Sequence, residues 1–163
     1  MTRRQWLHGA TATILLQTSR AQGSPNFSGV WALDVARCRI PDGSPELPAL
    51  KQTIEHKGST LAITNEITGD ARIPAFLVGL AAPRMLFTTD DTENTNKLGP
   101  IDFVSKSKWV GSTLSTTFQV KTPLEPPHGK WRHSLSEDTR SLTIDVEFNG
   151  PDGSSDVRLT FAR

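Results

Sequence analysis

Asn26-Phe27-Ser28-Gly29-Val30-Trp31 opens a run in which side chains alternate in character along the chain. Phe27, Gly29, Trp31, Leu33 and Val35 share one face of an extended backbone, and Ser28, Val30, Ala32, Asp34 and Ala36 share the other. A period of two is the signature of a half-buried strand. The alternation returns downstream. Leu50, Gln52, Ile54 and His56 oppose Lys51, Thr53, Glu55 and Lys57, and a turn at Lys57-Gly58-Ser59 leads to Leu61, Ile63 and Ile67. Glycine supplies the positive φ of a tight turn, so this reads as a hairpin. Later, Ile101, Phe103, Ser105, Ser107 and Trp109 precede a turn at Val110-Gly111-Ser112, then Leu114, Thr116, Phe118 and Val120. Trp131, His133 and Leu135 follow, then Leu142, Ile144, Val146 and Phe148, and finally Val157, Leu159 and Phe161.

Between these runs the chain turns. Three prolines in residues 40–48 remove ladder donors and fix φ, so that segment is a loop, as is the Pro-rich stretch 122–129. Residues 73–83 are apolar but broken by Pro74, Gly79 and Pro83. Residues 76–82 there fit a short helical lid, residues 84–88 a strand, and residues 90–99 a long polar turn.

Eight or nine short strands without a long helix imply an all-β chain with consecutive antiparallel pairing. A sheet that long exposes edges unless it closes, and closure at about eight strands leaves room for side chains or one small ligand. The expected fold is an up-and-down antiparallel barrel of about eight strands.

Residues 1–21 carry a different message. Arg3-Arg4 precede a short, mildly apolar core at residues 9–16, and Ser19-Arg20-Ala21 offers small residues for cleavage before Gln22. This resembles a bacterial twin-arginine signal peptide, a receptor-read address for export of folded proteins. It predicts a periplasmic or secreted protein, with one barrel domain over residues 22–163. The signal also distorts the charge of +1: taking its three arginines from 18 Lys+Arg leaves 15 against 17 Asp+Glu, a formal −2. No basic field is then expected to attract nucleic acid or anionic lipid. No apolar run in the processed chain is long enough for an integral membrane helix. Cys38 is the only cysteine, which excludes an intramolecular disulfide and leaves a small buried thiol or intermolecular pairing.

Gly29-Val30-Trp31 at the head of a strand train resembles the lipocalin-like (calycin) barrels, whose opening strand carries Gly-x-Trp. The chain is also similar to a group of small exported bacterial proteins that open with Asn-Phe-Ser-Gly-x-Trp. They carry a late Ser-Glu-Asp turn before a Leu-Thr strand, matched by Ser136-Glu137-Asp138 and Leu142-Thr143. The resemblance covers most of residues 26–163. It implies an arginine after the last strand packed over the tryptophan. Arg163 fits better than Arg158, because its parity with Phe161 turns it inward and a last strand antiparallel to the first ends near residues 27–31. Gly29, Trp31 and Arg163 are thus expected to close the barrel, a structural role.

Parity places His56 and His133 on inward faces, with Phe103, Phe118 and Trp131 beside them and Ser105 and Thr116 interspersed. Polar groups among aromatics are what a ligand pocket uses for orientation. These seven residues are the expected lining of a lumen for a small hydrophobic or amphipathic ligand; the alternative is that they are satisfied core groups of a filled barrel. In that case the protein is structural, or interacts through its loops at 40–48 and 122–129. A calycin-type enzyme using His133 or His56 as acid or base is the third reading. Two histidines alone form no metal or haem motif, so no cofactor or metal is expected. Asp90-Asp91 and Glu137-Asp138 are turn residues, and no nucleophile elbow, phosphate loop or zinc-protease helix is present in the sequence.

Overall fold

The structure is a computed structural model that describes residues 23–69 and 72–163; the expected signal at residues 1–21 lies outside them. Ten strands run in chain order: β1 (Gly29–Leu33), β2 (Ala49–Lys57), β3 (Thr60–Thr68), β4 (Arg84–Thr88), β5 (Asp90–Leu98), β6 (Ile101–Val110), β7 (Thr113–Lys121), β8 (His128–Leu135), β9 (Ser141–Gly150) and β10 (Gly153–Ala162). They form one antiparallel sheet in the order β4-β3-β2-β1-β10-β9-β8-β7-β6-β5. The first and last strands pair at Ala32–Ala162 and Leu33–Phe161. That pairing curls the meander into an all-β barrel and leaves β4 and β5 as the facing edges.

Two sequence expectations are corrected. The described residues form ten strands, and most of the stretch 90–99 is one of them, β5, paired with β6 from Leu98–Ile101 to Asp90–Lys108 with a bulge at residues 90–93. Its residues are almost all exposed or half-exposed, so no apolar period marked it. Its ladder partner is on one side only. On the other side, Asn96 stands in for a strand: its Nδ2 donates to the Leu86 carbonyl at 2.7 Å and its Oδ1 accepts from the Leu86 N–H at 2.8 Å. Thr88 and Thr92 meet hydroxyl to hydroxyl at 2.8 Å beside it. An amide side chain carries both a donor and an acceptor, so it pairs an edge backbone without continuing the ladder.

The first strand is also shorter than the alternation suggests. After Leu33 the chain enters a 3-10 turn, Val35–Arg37, which leaves Val35 exposed. It rejoins the sheet through one bridge between Arg39 and Arg158. Cys38 is half-buried there; its Sγ donates to the Asp34 carbonyl at 3.3 Å and accepts from the Thr160 N–H at 3.4 Å. Burial pushes its thiol pKa up, so it is a protonated thiol at neutral pH.

Inward side chains line up in rows because opposite residues of a ladder share a face. One row runs Trp109, Leu114, His133, Ile144, Leu159; the next runs Ser107, Thr116, Trp131, Val146, Val157. Outward positions carry cross-strand ion pairs, Arg132 with Glu147 and Arg158 with Asp145.

Candidate functional site

The barrel is closed at one end by the segment that precedes β1. Residues 23–28 bring Phe27 into the interior, where it is fully buried. Its ring is near-parallel to His56 from β2 at 5.9 Å and to Trp109 from β6 at 5.6 Å, and tilted against His133 from β8 at 6.1 Å. Touching β2, β6 and β8 at once means that Phe27 spans the lumen. Trp31 Nε1 donates to the Phe27 carbonyl at 2.9 Å. The Arg163 guanidinium carbon lies 4.4 Å from the Trp31 ring centroid, and its Nη2 donates to the Ser28 carbonyl at 2.8 Å. Gly29 belongs to the same assembly. Its φ is 148°, and a Cβ there would stand 3.2 Å from Arg163 Nε.

At the other end the apolar stretch between β3 and β4 folds inward. A 3-10 turn, Ala75–Leu77, buries Phe76 and Leu77, and Leu80 follows them into the interior. Two amides hold it: Gln52 Nε2 donates to the Leu80 carbonyl at 3.1 Å, and Asn65 Nδ2 to the Ala82 carbonyl at 2.5 Å. The backbone at Gly79 rests on the aromatic wall. With φ at 76°, it is in the left-handed region, and a Cβ would come within 2.7 Å of Phe103 and 2.8 Å of Trp131. Glycine is required there on both counts.

Between the two closures sits an aromatic box. Trp131 is stacked with Phe103 at 5.3 Å, tilted against Phe118 at 4.8 Å, and meets Phe87 edge-on at 5.9 Å. Phe103, Ser105, Thr116, Phe118, Trp131 and His133 are all buried, while His56 is half-buried beside Phe27. The six from β6, β7 and β8 form one wall. His56 stands across the lumen from them and reaches His133 through the Phe27 ring.

Thr116 and Ser107 satisfy each other at 2.8 Å. Ser105 Oγ, Trp131 Nε1 and both ring nitrogens of His133 are buried and make no hydrogen bond among the described residues. Burial holds the His133 pKa down to about 4, so the ring is neutral at physiological pH. Burial also lowers that of His56, with the Gly58 backbone opposing. The Phe27 N–H donates to His56 Nδ1 at 3.4 Å, which requires that nitrogen to be unprotonated. Among the described residues, no three His, Cys, Asp or Glu side chains group to hold a metal.

Sequence reasoning missed Phe27, Trp109, Gln52 and Asn65 as interior partners of these residues. Parity with Trp31, Phe103 and His56 marked Phe27, Trp109 and Gln52 as inward. No local signal shows that Phe27 crosses the barrel or that the two amides serve a lid.

No protein-family model matches the chain, and no curated protein matches it. Solved structures do. Zebrafish ileal bile acid-binding protein complexed with cholic acid aligns at a TM-score of 0.51 and 14% identity, covering 84% of this chain and 98% of that one. The fold is a calycin-like β-barrel. A secretory abundant heat soluble protein of Ramazzottius varieornatus matches at 0.51 and 13% identity over 83% and 93%, and secretory abundant heat soluble protein 4 of the same organism at 0.51 and 10% over 84% and 94%. At these identities the calycin-like likeness is one of fold.

Proposed function

We propose that the protein is an exported binding module whose barrel lumen holds a small hydrophobic or amphipathic molecule against Phe103, Phe118, Trp131 and His133. One observation carries this: three interior residues present polar atoms without partners inside an aromatic wall. A buried polar group left unpaired costs about 1–3 kcal/mol, and a core under selection for stability alone would replace it. A ligand supplies the missing partner. A neighbour of the same fold, solved in complex with cholic acid, supports this reading.

The lumen is covered at one end by the 74–82 segment, so a ligand enters by displacing it. Phe76, Leu77 and Leu80 occupy interior space, which also favours the second reading, a filled barrel acting through its loops, where Leu124 is 84% exposed. Native mass spectrometry of the purified protein, followed by a screen of small apolar compounds by tryptophan fluorescence, separates the two. Bound mass or saturable quenching is expected. A protein that carries nothing and responds to nothing is a structural barrel. Export rests on Arg3-Arg4 and the Ser19-Arg20-Ala21 site and links the chain to the exported bacterial group it resembles. Residues 1–25 fused to a reporter are expected to carry it out of the cytoplasm, and a Lys pair at Arg3-Arg4 to block this; a reporter retained with the natural sequence removes the claim.

A further inference from the structure

The chemistry of the wall narrows the ligand. Among the described residues, the buried polar side chains are Gln52, Asn65, Thr89, Ser105, Ser107, Ser115, Thr116, His133 and Thr160; not one is an Asp, Glu, Lys or Arg. Arg163, the cation over Trp31, is exposed and already engaged with that ring and the Ser28 carbonyl. Charged residues of β6, β8 and β9 lie on the outer face, paired across strands as Arg132 with Glu147 and Arg158 of β10 with Asp145. An ionised ligand in such a lumen loses its hydration and gains no counter-charge, a cost far larger than any apolar contact returns.

What the wall does offer is specific. Trp131 Nε1 is a donor only, the Ser105 hydroxyl is a donor and an acceptor, and a neutral His133 has one nitrogen of each kind. All are without partners among the described residues, and Phe103, Phe118 and Trp131 pack ring against ring beside them. Resting on the lumen-binding reading above, we propose that the ligand is an uncharged, flat-ringed molecule carrying a carbonyl or hydroxyl, and that the lumen rejects the ionised relatives of the same ring system. The carbonyl or hydroxyl accepts from Trp131 Nε1 and Ser105, while the ring stacks on the wall. Retention of a carboxylate would demand a buried cation that this barrel lacks among its described residues.

A matched pair of fluorescent probes tests this on the full chain: 7-diethylamino-4-methylcoumarin, which is neutral, and 7-diethylaminocoumarin-3-carboxylate, which is anionic. Each is titrated against the natural protein and against Trp131→Phe and Ser105→Ala. The second variant removes only an unpartnered hydroxyl and so keeps the fold, as its thermal melt will verify. Only binding weakened by either substitution counts as lumen binding. The expected result is neutral-coumarin binding at least ~10-fold tighter than that of the carboxylate, and weakened several-fold in both variants. Substitution-sensitive carboxylate binding as tight as the neutral probe's overturns the charge rule and leaves the lumen reading intact. Absence of any substitution-sensitive binding by either probe overturns both.

Discussion

His133 is the residue on which two of this protein's properties meet. In an unfolded chain its imidazole titrates near 6.5; in the barrel, burial holds it down to about 4. Between those values the unfolded chain binds a proton that the folded one refuses, so stability present above pH 6.5 is lost as pH falls toward 4. The loss is on the order of 3 kcal/mol. His56 is shifted in the same direction by burial and adds to the same limb. Asp90 and Asp138 are also lowered, by hydrogen bonds from Thr92 and Ser136, but they act only below the ordinary carboxylate range. Urea midpoints at pH 7.5 and 4.5 are therefore expected to fall steeply in the natural protein and less steeply in His133→Leu. An unchanged slope in that variant would show that the ring is solvated. At the closure that Phe27 forms beside His133, Arg163→Ala removes a cation from the Trp31 face, a contact of about 0.5–2 kcal/mol, and a hydrogen bond to Ser28. A lower melting temperature is expected; none would mean that the guanidinium contributes nothing to holding the first and last strands.

Among the elements, the 74–82 segment and β5 depart most from a plain meander, and both do so through side-chain amides. Gln52 and Asn65 hold the lid by its carbonyls, and Asn96 holds the edge of β4 by a backbone donor and acceptor. Such contacts close a surface without committing it to a continuous ladder, so both are suited to opening. Gly79 is the position where the lid touches the box. Gly79→Ala adds strain at a φ of 76° and a methyl group within 2.7 Å of Phe103, a cost on the order of 1–3 kcal/mol. Because the strain is local, the lid lifts before the barrel unfolds. The expected readout is a red-shifted tryptophan emission with little change in far-ultraviolet circular dichroism. Emission that stays blue in a folded variant would mean that the segment does not cover Trp131.

At the scale of the whole molecule, the barrel is a rigid wall with two unlike ends. The end closed by Phe27, Trp31 and Arg163 is tied by covalent continuity with β1 and β10. The end closed by the lid rests on two amides and three apolar side chains. A ligand that binds only the folded barrel stabilises it by mass action, roughly 2.7 kcal/mol at a hundredfold excess over its Kd, which for a chain of this size raises Tm by about 5–11 °C. A thermal-shift series with the neutral coumarin is expected to show that rise. Protection from hydrogen exchange in residues 74–82 should change with it, while residues 27–33 stay constant. Binding with no change at 74–82 would place the entrance elsewhere.

Parity along the chain is a local signal, and it carried everything that local backbone geometry decides. The strands at residues 50–57, 61–67, 101–110, 114–120, 131–135, 142–148 and 157–161 lie where alternation placed them. An arginine over Trp31 was implied by the lipocalin-like resemblance, and parity with strand direction selected Arg163 for it. Three things lay beyond it. Strand β5 has no buried face, so it offered no apolar period and read as a turn. The partners of an inward residue across a lumen depend on strand order and stagger, which is why His56 and His133 meet on opposite sides of Phe27 without any sequence motif joining them. Whether buried polar atoms find partners depends on rotamers in a packed interior: Thr116 pairs with Ser107 while Ser105, two residues along the same strand face as Ser107, pairs with none of the described residues. The sequence determined which side of the sheet each residue takes, because the backbone imposes a period of two. Only the closed barrel decided which of those residues face one another, because that is set by contacts between segments far apart in the chain.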